Sequence, residues 1–170
     1  MLLGLVLLYV GAVLFLNGLW LWGLIADREI ILINLVVATI STAVAAWTAF
    51  NATNVLDVRS AAMTLLFAIT YLWVAYNRIT GSDGRGLGWF SLFVAITVIP
   101  MAVSGIGRAE TAFDIWLGVN WAVWSALWLM YFMLLTLRLP IQRSTAMVTL
   151  LAGIFTGWLP GLLLLHSLAV

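Results

Sequence analysis

Six long apolar stretches, separated by short polar segments, account for almost all of the 170 residues. They lie at about 2–25, 30–50, 60–77, 88–107, 114–137 and 144–166. Each runs without interruption for about 20 positions, which is the length of a bilayer-spanning helix, and lacks the alternation of a barrel strand. The pattern therefore predicts an all-α integral membrane protein with six transmembrane helices.

Composition supports this prediction, because 65% of the residues are hydrophobic and only 8% are charged. At a mean hydropathy of +1.19, the chain lacks the polar residues that would cover a soluble surface. The first stretch has neither a positively charged segment before it nor a small-residue cleavage site after it. We therefore expect it to be a retained first span rather than a signal peptide.

The arginines in the five connecting segments predict the orientation in the membrane. The first, third and fifth segments contain Arg28, Arg78, Arg85, Arg138 and Arg143, whereas the second and fourth contain only Arg59 and Arg108. Positive residues concentrate in cytoplasmic loops, so the odd-numbered loops are predicted to be cytoplasmic. With six spans, both termini then lie on the outer side.

The same segments indicate an internal repeat. Each odd-numbered loop forms the turn of a helical hairpin, which gives units at about 1–52, 58–108 and 112–170. Pro100 and Pro160 fall at comparable places in the second and third units. Three repeated hairpins around one axis would leave a path along their shared interface, as repeats do in transporters.

The distribution of charge excludes several classes of function. Every Asp, Glu and Arg lies in or beside a loop, the only histidine is His166, and cysteine is absent. Ion-coupled transport and proton relays need ionisable groups at depth in the membrane, and hydrolysis needs a base, a partnered nucleophile or a metal. We therefore expect no enzymatic activity, no cofactor and no metal site. The small net charge of +1 also offers no basic patch for nucleic acid.

The fifth span is rich in aromatic residues, and its segment NWAVWSALWLMYF covers 120–132. Trp121, Trp124, Trp128 and Tyr131 follow the spacing i, i+3, i+7, i+10, so they share one helix face. An interfacial belt and ordinary helix packing are two structural explanations, but Trp124 and Trp128 are predicted to lie near the bilayer midplane, away from a belt. Ordinary helix packing and an aromatic wall along a path for neutral solutes both stay open as explanations.

The first span combines small residues with one conspicuous amide. Gly4, Gly11 and Gly18 recur every seven residues, and Gly153, Gly157 and Gly161 form a similar ridge on the last span, where packing of helices is the expected role. Asn17 lies on an adjoining face of the first span with the leucines Leu3, Leu7 and Leu14. An amide in hydrocarbon is costly unless paired, so Asn17 either bonds to another helix or faces a polar path.

Several blocks of the chain resemble the AmiS/UreI family of bacterial urea and amide channels. They are LGLVLLYVGAVLFLN, LLFAITYLWVAYN, GLGWFSLFVAI, VWSALWL and GIFTGWLPGLLLL, in order along nearly the whole chain. The chain looks closer to the amidase-associated AmiS branch than to the gastric acid-gated urea channel. The resemblance implies a six-helix protomer of three hairpins, a pore through each protomer, a homohexamer and a bacterial inner membrane location.

The resemblance also implies a set of pore-lining residues. Trp124 and Trp128 match a Trp-x-x-x-Trp pair at the cytoplasmic-side constriction, and Phe67 and Tyr71 match a third wall. The remaining matches are pore leucines and a pore asparagine, namely Leu3, Leu7, Leu14 and Asn17.

Two departures from the acid-gated members matter for regulation. Those members resemble this chain but carry a long second loop with several histidines, whereas NATNVLDVR is short and has none. A glutamate of the gastric channel's sixth span is matched by Ala152 here. We therefore predict a channel that does not respond to pH, since no side chain in that loop titrates between pH 5 and 7.

These observations give two hypotheses. The first is a passive channel that delivers urea and short aliphatic amides such as acetamide to a cytoplasmic amidase or urease. The alternative is a non-transporting membrane scaffold that docks a cytoplasmic amidase through its arginine-bearing loops. The sequence does not rank urea against individual amides, because that selectivity depends on small differences in pore width.

Overall fold

The computed structural model describes residues 2–166, which are helical and contain no strand. Six segments are long and apolar enough to cross a membrane, so the predicted all-α fold with six spans is confirmed. The first five are α1 (Leu2–Leu21), α2 (Ile30–Phe50), α3 (Val55–Thr80), α4 (Arg85–Gly107) and α5 (Ala112–Leu135). The sixth consists of α6 (Gln142–Ala152), a π-helical turn (Gly153–Trp158) and α7 (Leu159–Leu165). Met1 and residues 167–170, which belong to the predicted first and third hairpins, lie outside the described residues.

Several helices begin or end a few residues away from the apolar boundaries, because local capping decides where they stop. The side chain of Asn54 accepts hydrogen bonds from the backbone N–H groups of Leu56 and Asp57, so α3 begins inside the predicted second loop. Thr111 and Asp114 form a reciprocal capping box at the start of α5. The first span ends at Leu21 instead of at about residue 25. Gly23, just beyond this end, adopts a φ of +88°.

The helices form three closely packed pairs around a common interior. α2 packs along α3, α4 packs along α5, and α1 packs against all three parts of the sixth span. In the first two pairs, the two helices are connected by the second and the fourth loop. Each predicted hairpin instead consists of two helices that are connected by an odd-numbered loop. The two helices of each predicted hairpin also contact each other, but less extensively than the closely packed pairs do. The hairpin repeat therefore stays a prediction.

The pair formed by α1 and the sixth span depends on glycine, and we call this contact the glycine seam. A Cβ atom on Gly157 would lie 2.5 Å from both Cα and the backbone nitrogen of Gly11. A Cβ atom on Gly153 would lie 2.6 Å from the backbone nitrogen of Phe15, and one on Gly161 would lie 2.6 Å from that of Leu8. The predicted packing role of both glycine ridges is therefore confirmed, because only hydrogen side chains leave room for two backbones at these distances.

Candidate functional site: an aromatic wall between interior cavities

Residues 2–166 enclose cavities inside the bundle, and three of them concern the site. A first vestibule of ≈ 400 Å³ opens on the side of the second and fourth loops, and we call it the even-loop vestibule. A second, of ≈ 520 Å³, opens near the odd-numbered loops and is called the odd-loop vestibule. Between them lies a central chamber of only ≈ 30 Å³. The even-loop vestibule and the chamber share two wall residues, Phe67 and Trp124.

The shared wall is a stack of aromatic rings contributed by α3 and α5. The Phe67 ring lies with its centroid 4.7 Å from the ring of Trp124 and 4.7 Å from that of Trp128. Trp121 stands edge-on to Trp124 at 5.0 Å. Trp124 and Trp128 are each only 5% exposed, so neither belongs to an interfacial belt. The aromatic face predicted on the fifth span is directed into the bundle, where its rings pack together and also line cavities.

The indole N–H groups of this wall are bonded within the protein. Nε1 of Trp124 donates to Oγ1 of Thr156 over 2.7 Å, and Nε1 of Trp128 donates to Oγ1 of Thr70 over 3.3 Å. The two threonine hydroxyls thus accept the protons that a passing carbonyl oxygen could otherwise accept. The wall therefore presents mainly ring faces and edges, and few hydrogen-bond donors, to the adjoining cavities.

Asn17 lines the chamber and is also paired with another helix. Its Nδ2 donates to Oδ1 of Asn34 over 3.1 Å, and Nδ2 of Asn34 donates back to Oδ1 of Asn17 over 2.8 Å. Asn34 in addition donates to the backbone oxygen of Ile30. Asn17 thus bonds to another helix, which was one of the two explanations, and its place on a path for solutes stays a prediction.

One hydroxyl on the chamber wall has no partner among the described residues. Oη of Tyr71 is buried and unbonded, whereas the neighbouring Tyr131 shares a 3.1 Å hydrogen bond with Thr149. A buried polar group without a partner costs about 1–3 kcal/mol. Tyr71 is therefore the group best placed to bond to a solute inside the chamber.

Among these three cavities, only the two vestibules are lined by charged residues. The even-loop vestibule is lined by Arg59 and Arg108, and the odd-loop vestibule by Asp27, Asp83, Arg78 and Arg138. Hydrogen bonds from the backbone and the side chain of Arg85 hold the pKa of the Asp83 carboxyl below its usual value. The chamber between the vestibules is lined by no charged residue, and residues 2–166 contain no cluster of His, Cys, Asp and Glu that could hold a metal ion.

All eight residues predicted to line a pore lie on the walls of these cavities. Leu3 and Leu7 line the even-loop vestibule, and Phe67 and Trp124 separate it from the chamber. The other four, Leu14, Asn17, Tyr71 and Trp128, line the chamber.

Sequence reasoning missed the hydrogen-bond partners of these side chains, namely Thr156 for Trp124, Thr70 for Trp128 and Asn34 for Asn17. A signal for Thr156 was present, because Pro160 has no N–H and leaves the carbonyl of residue 156 without its normal helical donor. For Thr70 and Asn34 the only signal was that a buried indole or amide needs a partner somewhere.

Comparison with known proteins identifies the family. The chain is 38% identical over 167 residues to an amidate substrates transporter protein of Mycolicibacterium smegmatis, covering 96% of this chain and 76% of that one. It is 31% identical over 193 residues to the acid-activated urea channel of Helicobacter pylori, covering 95% and 96% of the two chains. The crystal structure of the urea channel from that pathogen superposes with a TM-score of 0.86 at 32% identity over the full length of both chains. Residues 2–168 match the model of the AmiS/UreI family of transporters, and this multi-pass membrane protein therefore belongs to that family.

Proposed function

We propose that this protein is a passive channel of the bacterial inner membrane for urea and short aliphatic amides, with a pore through each protomer. The observation that carries the proposal is the uncharged aromatic chamber that lies between two vestibules lined by charged residues. The names of the two relatives, an amidate substrates transporter and a urea channel, support the same class of solute.

The chemistry of the chamber favours neutral, flat solutes. A solute that enters it exchanges most of its water for ring faces, the amide of Asn17 and the hydroxyl of Tyr71. An ion would lose its hydration without meeting an opposite charge, which costs several kcal/mol or more. A planar amide loses less, and its carbonyl oxygen can accept a hydrogen bond from Tyr71.

We further propose the biological setting that the family resemblance implies. The protein forms a homohexamer, its termini lie on the outer side, and it supplies a cytoplasmic amidase or urease. The arginine bias of the odd-numbered loops supports this orientation. The large apolar side chains on the outside of the bundle, such as Trp47 and Phe50, face lipid or neighbouring protomers in such an arrangement.

Solute flux into proteoliposomes tests the function directly. Stopped-flow measurements should show acetamide and urea crossing faster than through bare lipid, whereas guanidinium, a planar cation of nearly the shape of urea, should not cross faster. We expect acetamide to cross faster than urea, because urea brings a second NH₂ group that the chamber can hardly satisfy. Amide flux equal to that of bare lipid would instead favour the scaffold hypothesis.

The flux should not depend on pH. No histidine lines either vestibule or the chamber, and His166 lines a separate surface groove with Trp116. Because the pKa of Asp83 is shifted downward, this carboxylate stays ionised when the pH falls from 7.5 to 5. We expect acetamide uptake at the two pH values to agree, in contrast to the acid-activated relative. A several-fold difference would refute this prediction.

Replacing Tyr71 with phenylalanine should slow amide flux. The change removes the unpartnered hydroxyl of the chamber and keeps the ring that packs beside Phe67. Loss of one hydrogen bond of about 1 kcal/mol corresponds to about fivefold slower acetamide permeation. Tyr76→Phe is the matched control, because Tyr76 is 55% exposed on the outside of the same helix. Equal acetamide flux through both variants would show that the Tyr71 hydroxyl does not bond to the passing solute.

A further inference from the structure

We propose that Thr156 is a positioning residue that fixes the Trp124 ring in the aromatic wall and thereby sets the largest solute that can pass. This inference rests on the proposed amide channel, because it concerns the size selectivity of the same path. Thr156 itself lines neither the chamber nor the even-loop vestibule. It acts through its contact with Trp124.

Three side chains of α5 reach the π-helical turn of the sixth span. Trp116 donates from Nε1 to the backbone oxygen of Phe155 over 2.9 Å, and Asn120 donates from Nδ2 to the backbone oxygen of Thr156 over 3.3 Å. Trp124 donates to the Thr156 hydroxyl over 2.7 Å. These donors are spaced i, i+4, i+8, so they lie on one face of α5. Of these three contacts, the one made by Trp124 lies deepest in the bundle.

The sequence of the sixth span explains why acceptors are available there. In a regular helix the N–H of residue 159 would bond to the oxygen of Phe155, but in the π-helical turn the N–H of Leu159 bonds to Ile154. Pro160 has no N–H to offer to the oxygen of Thr156. Two carbonyl groups are therefore released from the helix, and Trp116 and Asn120 satisfy them.

The Thr156 hydroxyl is fixed in direction as well. It donates to the backbone oxygen of Ala152 over 2.6 Å, so its proton is committed and a lone pair is directed toward the indole of Trp124. The glycine seam fixes the other side of the same turn, since Gly157 directly follows Thr156 and lies against Gly11. The hydroxyl therefore cannot move toward or away from the wall without a shift of the backbone.

Trp124 is the ring whose position matters most for width. It separates the even-loop vestibule from the chamber, together with Phe67, and contacts the Phe67 ring edge-on at 4.7 Å. The hydrogen bond of Trp128 to Thr70 is longer, at 3.3 Å. A small rotation of the Trp124 indole would therefore widen the opening between the even-loop vestibule and the chamber.

The test compares Thr156→Val with Thr156→Ser. Valine keeps the shape but removes the acceptor, whereas serine keeps the hydroxyl. Thr39→Val is the matched control, because Thr39 is exposed on α2 and its hydroxyl likewise donates to a carbonyl one turn earlier, that of Leu35. Permeabilities to acetamide and to the bulkier butyramide are measured in proteoliposomes. The indole ¹⁵N–¹H resonance of Trp124, identified by its loss in Trp124→Phe, is followed in detergent micelles.

We expect Thr156→Val to raise the permeability of butyramide relative to acetamide about fivefold, the effect of losing one hydrogen bond, and to shift the Trp124 resonance. Thr156→Ser and Thr39→Val should match the wild type in both measurements. An unchanged permeability ratio or an unchanged resonance in Thr156→Val overturns the proposal.

Indole hydrogen exchange and the amide flux of the wild-type protein provide two further tests. Should Thr156→Val fail to fold, indole hydrogen exchange in the wild-type protein replaces it. The Trp124 proton should then exchange more slowly than that of Trp128, and equal or faster exchange overturns the proposal. A wild-type protein without amide flux refutes the proposed channel, while the resonance still reports whether Thr156 holds Trp124.

Discussion

Replacing Gly157 with alanine is expected to destabilise the protein severely. The added Cβ atom would lie 2.5 Å from backbone atoms of Gly11, and backbone cannot move aside as a flexible side chain can. Overpacking of this kind costs about 1–3 kcal/mol or more. For a protein of this size, about 3 kcal/mol lowers the thermal midpoint by about 10 °C. The midpoint is measured by size-exclusion chromatography of the detergent-solubilised protein after heating.

Gly107→Ala provides the matched control for this prediction. Gly107 is also a helical glycine, but a Cβ atom built on it meets nothing within 4 Å. We expect its midpoint to equal that of the wild type. If Gly157→Ala were as stable as Gly107→Ala, the close approach of α1 to the sixth span would not be needed for folding.

Replacing Phe67 with alanine is expected to join the even-loop vestibule to the chamber. The ring is 6% exposed and lies between two indoles at 4.7 Å from each, so its removal takes out the middle of the wall. Butyramide and other bulky neutral solutes should then permeate much faster relative to acetamide. Truncation of a buried phenylalanine also costs about 3–5 kcal/mol of stability, so the variant is assayed below its lowered thermal midpoint.

The control for this experiment is Phe93→Ala. Phe93 is 59% exposed on the outside of α4, so the same truncation there leaves the wall intact. It should keep both the selectivity and the thermal midpoint of the wild type. Should Phe67→Ala retain the wild-type ratio of butyramide to acetamide permeability, the wall would not be the selective element.

Much of the fold could be predicted because the apolar runs are continuous and the bilayer fixes their length. Helix ends were less predictable, since Asn54 and Thr111 start their helices through side-chain caps within polar segments. Charged residues marked the loops in the sequence, but charge alone does not end a helix. The short third loop shows this, because Arg78 and Arg85 both lie within helices.

The candidate site was predictable in part, for reasons that differ between residues. The spacing of Trp124 and Trp128 defines a helix face, and periodicity is a local property that a sequence displays. Their acceptors Thr156 and Thr70 lie on other helices, and no spacing along the chain links donor to acceptor. The amide partner of Asn17 is likewise 17 residues away on α2. Pairings of this kind follow from how helices pack rather than from their individual patterns.

The glycine seam also affects how the protein is made. The seam connects the first of the six spans to be synthesised with the last. The helix α1 therefore lacks this contact until residues 142–165 have been synthesised. Until then the interior has no wall on that flank, and lipid can occupy the space. Closure of the bundle is therefore a late event in biogenesis, and a chain arrested before the sixth span would carry the aromatic residues of α5 without enclosing a lumen.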